Sequence, residues 1–173
     1  MSGAAKYVWT ALILAVIAHL AFIIATPRVL MHVATERVGA GHFNEWHLSA
    51  RVTPESRAIV RPSPDFAYSA CAYDLGDGPL RIRVTPWAAY WSLSLYADNS
   101  DNYFVIDDRE AREGAELVLI RRGGEHPRDA LRVVESPSRR GIALIRRLAP
   151  TPDEYSAASQ IAGGDVCGPL AGG

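Results

Sequence analysis

A chain of 173 residues with 18 Lys and Arg against 19 Asp and Glu carries no cationic excess with which to hold a polyanion, so a nucleic-acid partner has no electrostatic support. All but one of those cations are arginine; alongside abundant Ala and Gly, this fits the codon bias of a G+C-rich bacterial genome better than a set of recognition sites. The two cysteines, Cys71 and Cys167, make neither a C-x-x-C motif nor a Cys/His zinc spacing.

The first predicted element is an anchor helix. Tyr7 to Ala25 holds no Asp, Glu, Lys or Arg, and at about 1.5 Å rise per residue such a run nearly crosses a ~30 Å hydrocarbon core. A cleaved signal peptide would have a shorter apolar core and a small-residue cleavage site, of which Ile23 and Ala25 make a poor version. The core helix of a soluble domain would need a polar face, for which only Thr10 and His19 are available. Lys6 precedes the run while Arg28 and Arg37 follow it, so the positive-inside rule does not fix the orientation. The expected topology is a single-pass signal-anchor in the bacterial inner membrane, with the lipid bilayer as its first partner and the C-terminal domain in the periplasm. Val29, Leu30, Val33, Ala34 and Val38 keep helical spacing after Pro27; they continue the anchor helix or lie on the membrane surface, and Gly39 and Gly41 end it. Residues 1–38 are thus read as anchor and juxtamembrane helix.

From Ile59 the period changes to two. Leu80, Ile82 and Val84 alternate with arginines, and Trp91, Leu93 and Leu95 alternate with Ser92, Ser94 and Tyr96, the pattern of antiparallel strands with one buried and one wetted face. Leu93 and Leu95 are expected to point inwards and Ser94 outwards. Further strands are predicted over Phe66–Asp74, Asn102–Asp107, Glu116–Arg121, Leu131–Glu135 and Gly141–Arg147, with turn chemistry between them. The fold class that follows is mainly β: an antiparallel β-sandwich or open barrel over residues 39–162. A short helix is predicted after Pro150, capped by Thr151 with Pro152, Asp153 and Glu154 in its first turn. Residues 163–173 read as a loose Gly-rich tail. The pairs Arg121–Arg122, Arg139–Arg140 and Arg146–Arg147 are expected at strand ends and on solvated faces.

Chemical motifs are scarce. No nucleophile elbow, P-loop, zinc-protease helix or calcium loop occurs, and no cofactor motif is present. His42, Glu45 and His47 cluster, but their spacing does not put both histidines on one helical face, so a polar loop is the expected reading. Asp98, Asp101 and Asn102 lack the acid spacing of a calcium loop and suit a hairpin turn. Cys71 and Cys167 have two options: a disulfide in an oxidising compartment, closing a long loop for about 4–5 kcal/mol, or one small buried residue and one free thiol.

The stretch Arg61–Asn102, RPSPDFAYSACAYDLGDGPLRIRVTPWAAYWSLSLYADNSDN, resembles the bacterial domain-of-unknown-function family 1254. Pro62, Asp65, Tyr68, Ser69, Asp74, Leu75 and Pro79 match its pattern in order, and Tyr90, Trp91, Leu93, Leu95, Tyr96 and Asn102 continue the match. Ser63 departs from the family's Asn, and Phe66–Ala67 from its Thr-Leu. The resemblance implies an envelope setting. Longer members fuse this domain to a second, family-1214-type module; this chain has room for one, so the resemblance implies a separate companion protein.

The candidate binding residues are Arg61, Asp65, Tyr68, Asp74, Trp91, Tyr96 and Asn102. Arg61, Tyr68 and Tyr96 could line a polar concavity floored by Trp91; otherwise Tyr68 pairs with Trp91 or Tyr96 in the core. Asp65 has a turn-pinning carboxylate as its ordinary role. Two functional classes follow: a non-catalytic envelope module that binds a partner or small ligand, and a hydrolase or carbohydrate-active enzyme using Asp65 and Asp74. The second needs carboxylates about 5 to 9 Å apart, whereas nine residues of unbroken strand separate them by ~30 Å.

Overall fold

The structure, a computed structural model, describes residues 3–57, 61–127, 130 and 132–170. Ile59 and Leu131, where two of the predicted strand segments begin, lie outside the described residues, as do residues 171–173.

Helix α1 runs unbroken over Gly3–Gly39, a rod about 55 Å long at the α-helical rise. It passes through Pro27 without stopping. Proline removes one N–H from the ladder, and side chains serve the carbonyls on either side: Thr26 Oγ1 donates to Phe22 O at 2.7 Å and Arg28 Nη1 to Ile24 O at 2.8 Å. From Tyr7 to Ile24 the large apolar side chains are all exposed, and the helix is long and apolar enough to cross a membrane. Its last turns differ: Met31, Ala34 and Thr35 are buried. The helix ends at Ala40 and Gly41, both at positive φ.

The remainder is two stacked sheets. The first has the order β1(His47–Leu48), β2(Phe66–Asp74), β8(Arg140–Leu148), β4(Trp91–Ala97), β5(Asn102–Asp107), and the second β7(Val133–Ser136), β6(Ala115–Arg121), β3(Leu80–Val84), β9(Val166–Pro169). The sheets do not close into a barrel, so of the two predicted architectures the sandwich is the one formed. All pairs are antiparallel except β6 with β7, which run parallel, contrary to the purely antiparallel expectation. Alternation supplies the core: Cys71, Tyr73, Trp91, Leu93, Leu95 and Ile145 from the first sheet meet Leu80, Ile82, Val84, Leu117 and Leu119 from the second. Gly141 sits where Tyr96 O and the Tyr73 hydroxyl leave no room for a Cβ. Beside it the buried Tyr73 hydroxyl donates to Tyr96 O at 3.0 Å and shares hydrogen bonds with Tyr103 and Ser136.

Helix α2(Pro152–Ala162) starts as predicted. Thr151 Oγ1 accepts from Glu154 N, and the Glu154 carboxylate accepts from Thr151 N, a reciprocal capping box. The segment after it is not a loose tail. Val166–Pro169 is strand β9, in register with β3, and Cys167 is buried. Two non-local links hold it there. Cys167 is bonded to Cys71 across the sandwich, S–S 2.05 Å, and Asp165 pairs with Arg147, side chains 0% and 2% exposed. A Gly-rich segment has little local preference, so its place is set by what it bonds to. Arg147 also departs from the expectation that the arginine pairs are solvated, because it faces inwards in register with Ala67 and Trp91.

Candidate functional site

Register decides which candidate residues meet. On the first sheet, the outer face carries rows of paired residues: Tyr68–Arg146–Ser92–Asp107, then Ala70–Leu144–Ser94–Val105, then Ala72–Ile142–Tyr96–Asn102. Trp91 lies on the opposite, inner face and is 0% exposed. The concavity predicted from Arg61, Tyr68, Tyr96 and Trp91 therefore does not form, nor does a Tyr68–Trp91 pair. Tyr68 and Tyr96 share the outer face but stand four residues apart along it, about 14 Å at the strand rise. Tyr96 packs against the cluster that Met31 and Ala34 of α1 form with Ala70 and Ile142. Tyr68 instead receives the Ser63 N–H on its hydroxyl at 3.0 Å and stands 6.2 Å from the Phe66 ring, which meets Tyr90 edge-on at 6.0 Å. Arg61 is exposed just upstream.

Ser94 also departs from its expected position. It and Ser92 are both 0% exposed, not outward in water. They face away from the core as the alternation requires, but sit between larger neighbours: Ser92 between Arg146 and Asp107, Ser94 between Leu144 and Val105. Among the described residues, neither hydroxyl nor Arg146 Nε, all buried, has a hydrogen-bond partner. A central strand small on one face is closed over by its flanking strands.

Asp65 and Asp74 stand at opposite ends of β2. Asp65 donates its N–H to Ser63 Oγ and accepts Ala149 N–H on its carbonyl, so backbone rather than the expected carboxylate fixes this turn. Asp74 closes the other end. Its Oδ1 accepts from Arg139 Nε at 2.7 Å and from Gly76 N at 2.8 Å, and its Oδ2 accepts from Arg140 Nε at 2.7 Å. Burial would raise its pKa; the Arg139 and Arg140 hydrogen bonds and the Gly76 N–H outweigh that and hold it at about 2. A carboxylate so held is an ion-pair partner, not a proton donor. With β2 unbroken from Phe66 to Asp74, the two carboxylates are ~30 Å apart, far beyond the reach of paired-carboxylate glycoside chemistry. Asn44 completes this corner, exchanging hydrogen bonds with the backbone of Asp74, and the Arg140 guanidinium lies 4.8 Å over the Phe43 ring. In the polar cluster around residue 42, His47 of β1 pairs with Ala70 of β2, while this neighbouring asparagine ties the loop to Asp74. Among the described residues no group of three or more His, Cys, Asp or Glu could hold a metal ion.

Beside this corner, α1 and the first sheet enclose a cleft of about 540 Å³ lined by Arg28, Met31, His32, Thr35, Glu36, Asp98, Arg139 and Arg140. Asp98 belongs to the hairpin between β4 and β5. That hairpin is the hydrogen-bonded turn expected of Asp98–Asn102: Ser100 N donates to Ala97 O, Ala97 N to Asp101 O, and Asn99 Nδ2 to Asp101 Oδ2. Its tip reaches α1, where Ser100 Oγ donates to Pro27 O at 3.0 Å. The arginine pair 139–140 was visible as a pair; that it faces Asp74 and α1 follows only from the Asp74–Arg140 register.

Residues 43–169 match the family described as "Protein of unknown function (DUF1254)". No curated protein matches the chain. Solved structures share similarity with the chain, among them the following two. The VPA0106 protein from Vibrio parahaemolyticus superposes with a TM-score of 0.65 at 15% identity, over 87% of this chain and 37% of its own. A putative uncharacterized protein from Burkholderia cenocepacia gives 0.46 at 18% identity, over 78% of this chain and 38% of its own. The chain thus spans just over a third of the length of the structures it matches.

Proposed function

For a chain that belongs to the DUF1254 family, we propose the role of a membrane-anchored, non-catalytic binding module that presents its β-sandwich in the bacterial envelope and holds a separate companion protein of the family-1214 type. The observation that carries this reading is the division of α1. Its first two dozen residues expose apolar side chains all round, while its last turns pack onto the first sheet. In water that exposed surface is unfavourable at roughly 25 cal/mol per Å²; in a bilayer it is at home, and the docked end sets the sandwich against the membrane. A periplasmic placement is supported by the Cys71–Cys167 bond, since disulfides persist in oxidising compartments. A reporter fused after Gly173 and active only outside the cytosol tests it; activity of a cytosolic reporter alone would overturn it.

The companion is inferred from the family resemblance, in which longer members fuse a family-1214-type module to this domain; the Vibrio protein shares the fold over 37% of its own chain. The contact face we infer is the part of the outer sheet surface that α1 leaves uncovered, with Phe66, Tyr68, Tyr90 and Arg146. Tyr90 and Val105 are exposed there by 37% and 51%, and aromatic and arginine side chains dominate interface hot spots. The test is co-purification with the separately expressed companion. Complex formation should survive deletion of residues 1–26 and weaken at least about tenfold on joint replacement of Arg61 and Tyr68 by Ala. A truncated, folded domain that stays monomeric with the companion would overturn the partner reading and leave small-ligand binding.

A further inference from the structure

The cleft between α1 and the first sheet lies at a defined depth. If Tyr7–Ala25 fills the hydrocarbon, Arg28 stands three residues, about 4–5 Å, beyond it, within the headgroup layer of about 5–8 Å on each side of the core. The Ser100–Pro27 hydrogen bond brings the β4–β5 hairpin to the same level, so the end of the cleft between Arg28 and the hairpin lies at the depth of phospholipid headgroups, while Thr35 and Glu36 line its far end. Its charges are mixed. Arg28, Arg139 and Arg140 face Glu36 and Asp98, and a further carboxylate, Asp74, already engages the last two arginines through Arg139 Nε and Nη2 and Arg140 Nε. The terminal nitrogens of Arg140 are not used by that bond. Near-balanced charge disfavours a purely anionic ligand and suits a zwitterion: guanidinium for a phosphodiester, carboxylates for an ammonium. Met31 lines the same cleft and gives the glycerol end an apolar wall.

We propose that this cleft is a binding site for a zwitterionic phospholipid headgroup, with its phosphate at Arg28 and Arg140 and its primary ammonium at Asp98. The site therefore favours phosphatidylethanolamine over phosphatidylcholine, whose quaternary nitrogen has no N–H to donate, and over phosphatidylglycerol, which has no cation. The inference rests on the anchor reading above.

The full chain is reconstituted in bilayers of equimolar phosphatidylethanolamine, phosphatidylcholine and phosphatidylglycerol. It is then extracted in mild detergent, and the retained lipid is identified by mass spectrometry. Phosphatidylethanolamine should be enriched at least about threefold over each competitor, the scale set by partly exposed charge contacts. Asp98→Asn should abolish the ethanolamine-over-choline preference while keeping phospholipid, and Arg28→Gln should lower retention of all three. Retained lipid of bulk composition, preference for phosphatidylglycerol, or enrichment unchanged in both variants would overturn the proposal while leaving the anchor intact. Failure of the chain to stay with carbonate-washed bilayers would overturn the anchor reading and the site with it. Displacement of the lipid by soluble glycerophosphoethanolamine at equal concentration would overturn the membrane source and assign the site to a free phospho-amine.

Discussion

Replacing Asp165 by Ala isolates the energetic role of the segment that the sequence presents as a tail. Asp165 Oδ2 accepts from Arg147 Nη1 at 2.9 Å and Oδ1 from Arg147 Nη2 at 2.8 Å, while Thr85 N donates to Oδ1 at 2.9 Å. Both charged side chains are withdrawn from water, with 2% and 0% exposure. Removing the carboxylate leaves the guanidinium in the core with one carbonyl partner, Thr85 O at 2.9 Å, and Arg147 Nε is already unpaired. Breaking one side of a buried pair costs about 3–5 kcal/mol. At about 2–4 °C per kcal/mol for a domain of this size, Asp165→Ala should lower Tm by about 6–20 °C, read by near-UV circular dichroism of the full chain in detergent. Removing both charges tests the cause. Arg147→Met combined with Asp165→Ala should recover at least about 2 kcal/mol relative to the single variant, because no uncompensated charge remains. A loss below about 1 kcal/mol for the single variant, or a double variant no more stable than the single, would refute the reasoning.

Three further outcomes are expected. Leu95→Ala should cost about 2–5 kcal/mol by opening the inter-sheet core, whereas Ser94→Ala should be neutral or slightly stabilising because it removes a buried hydroxyl with no partner; chemical denaturation compares them, and equal losses would mean the strand faces are misassigned. Asp74, held at about 2 in the folded state against about 3.9 unfolded, contributes stability that is fully present above pH 4 and is lost as pH falls from about 4 through 2. Its half-exposed arginine partners reduce that contribution to on the order of 1 kcal/mol, and Asp74→Asn should flatten the stability profile in that window alone. Cys71→Ala with Cys167→Ala releases a link between residues 96 apart in sequence and should cost about 4–5 kcal/mol on the loop-entropy account; an intact-mass measurement showing two free thiols in the native protein would remove the basis for this.

What the amino-acid order determined by itself is whatever depends on neighbours in the chain. An uncharged apolar run makes a long helix wherever it sits, Thr151 and Glu154 cap a helix from three residues apart, and alternation from Leu80 to Tyr96 separates two strand faces. Those patterns, with the residues shared with the family from Pro62 to Asn102, were enough for a sandwich or open barrel behind an apolar helix. Tertiary structure decided everything that depends on which strands are neighbours. Ser94 alternates like a wetted residue but is closed over by Leu144 and Val105 from flanking strands. Arg147 reads like Arg146 until the register with Trp91 turns it inwards to meet Asp165, and residues 163–170 look featureless until β3 and Cys71 give them partners. Trp91 and Tyr68 belong to one motif, yet β4 and β2 present them on opposite sides of the same sheet. The cleft at Arg28, Asp98 and Arg140 joins three segments spread over more than a hundred residues. Local propensity is additive along the chain, whereas register, burial and ion pairing are properties of pairs that only folding brings together.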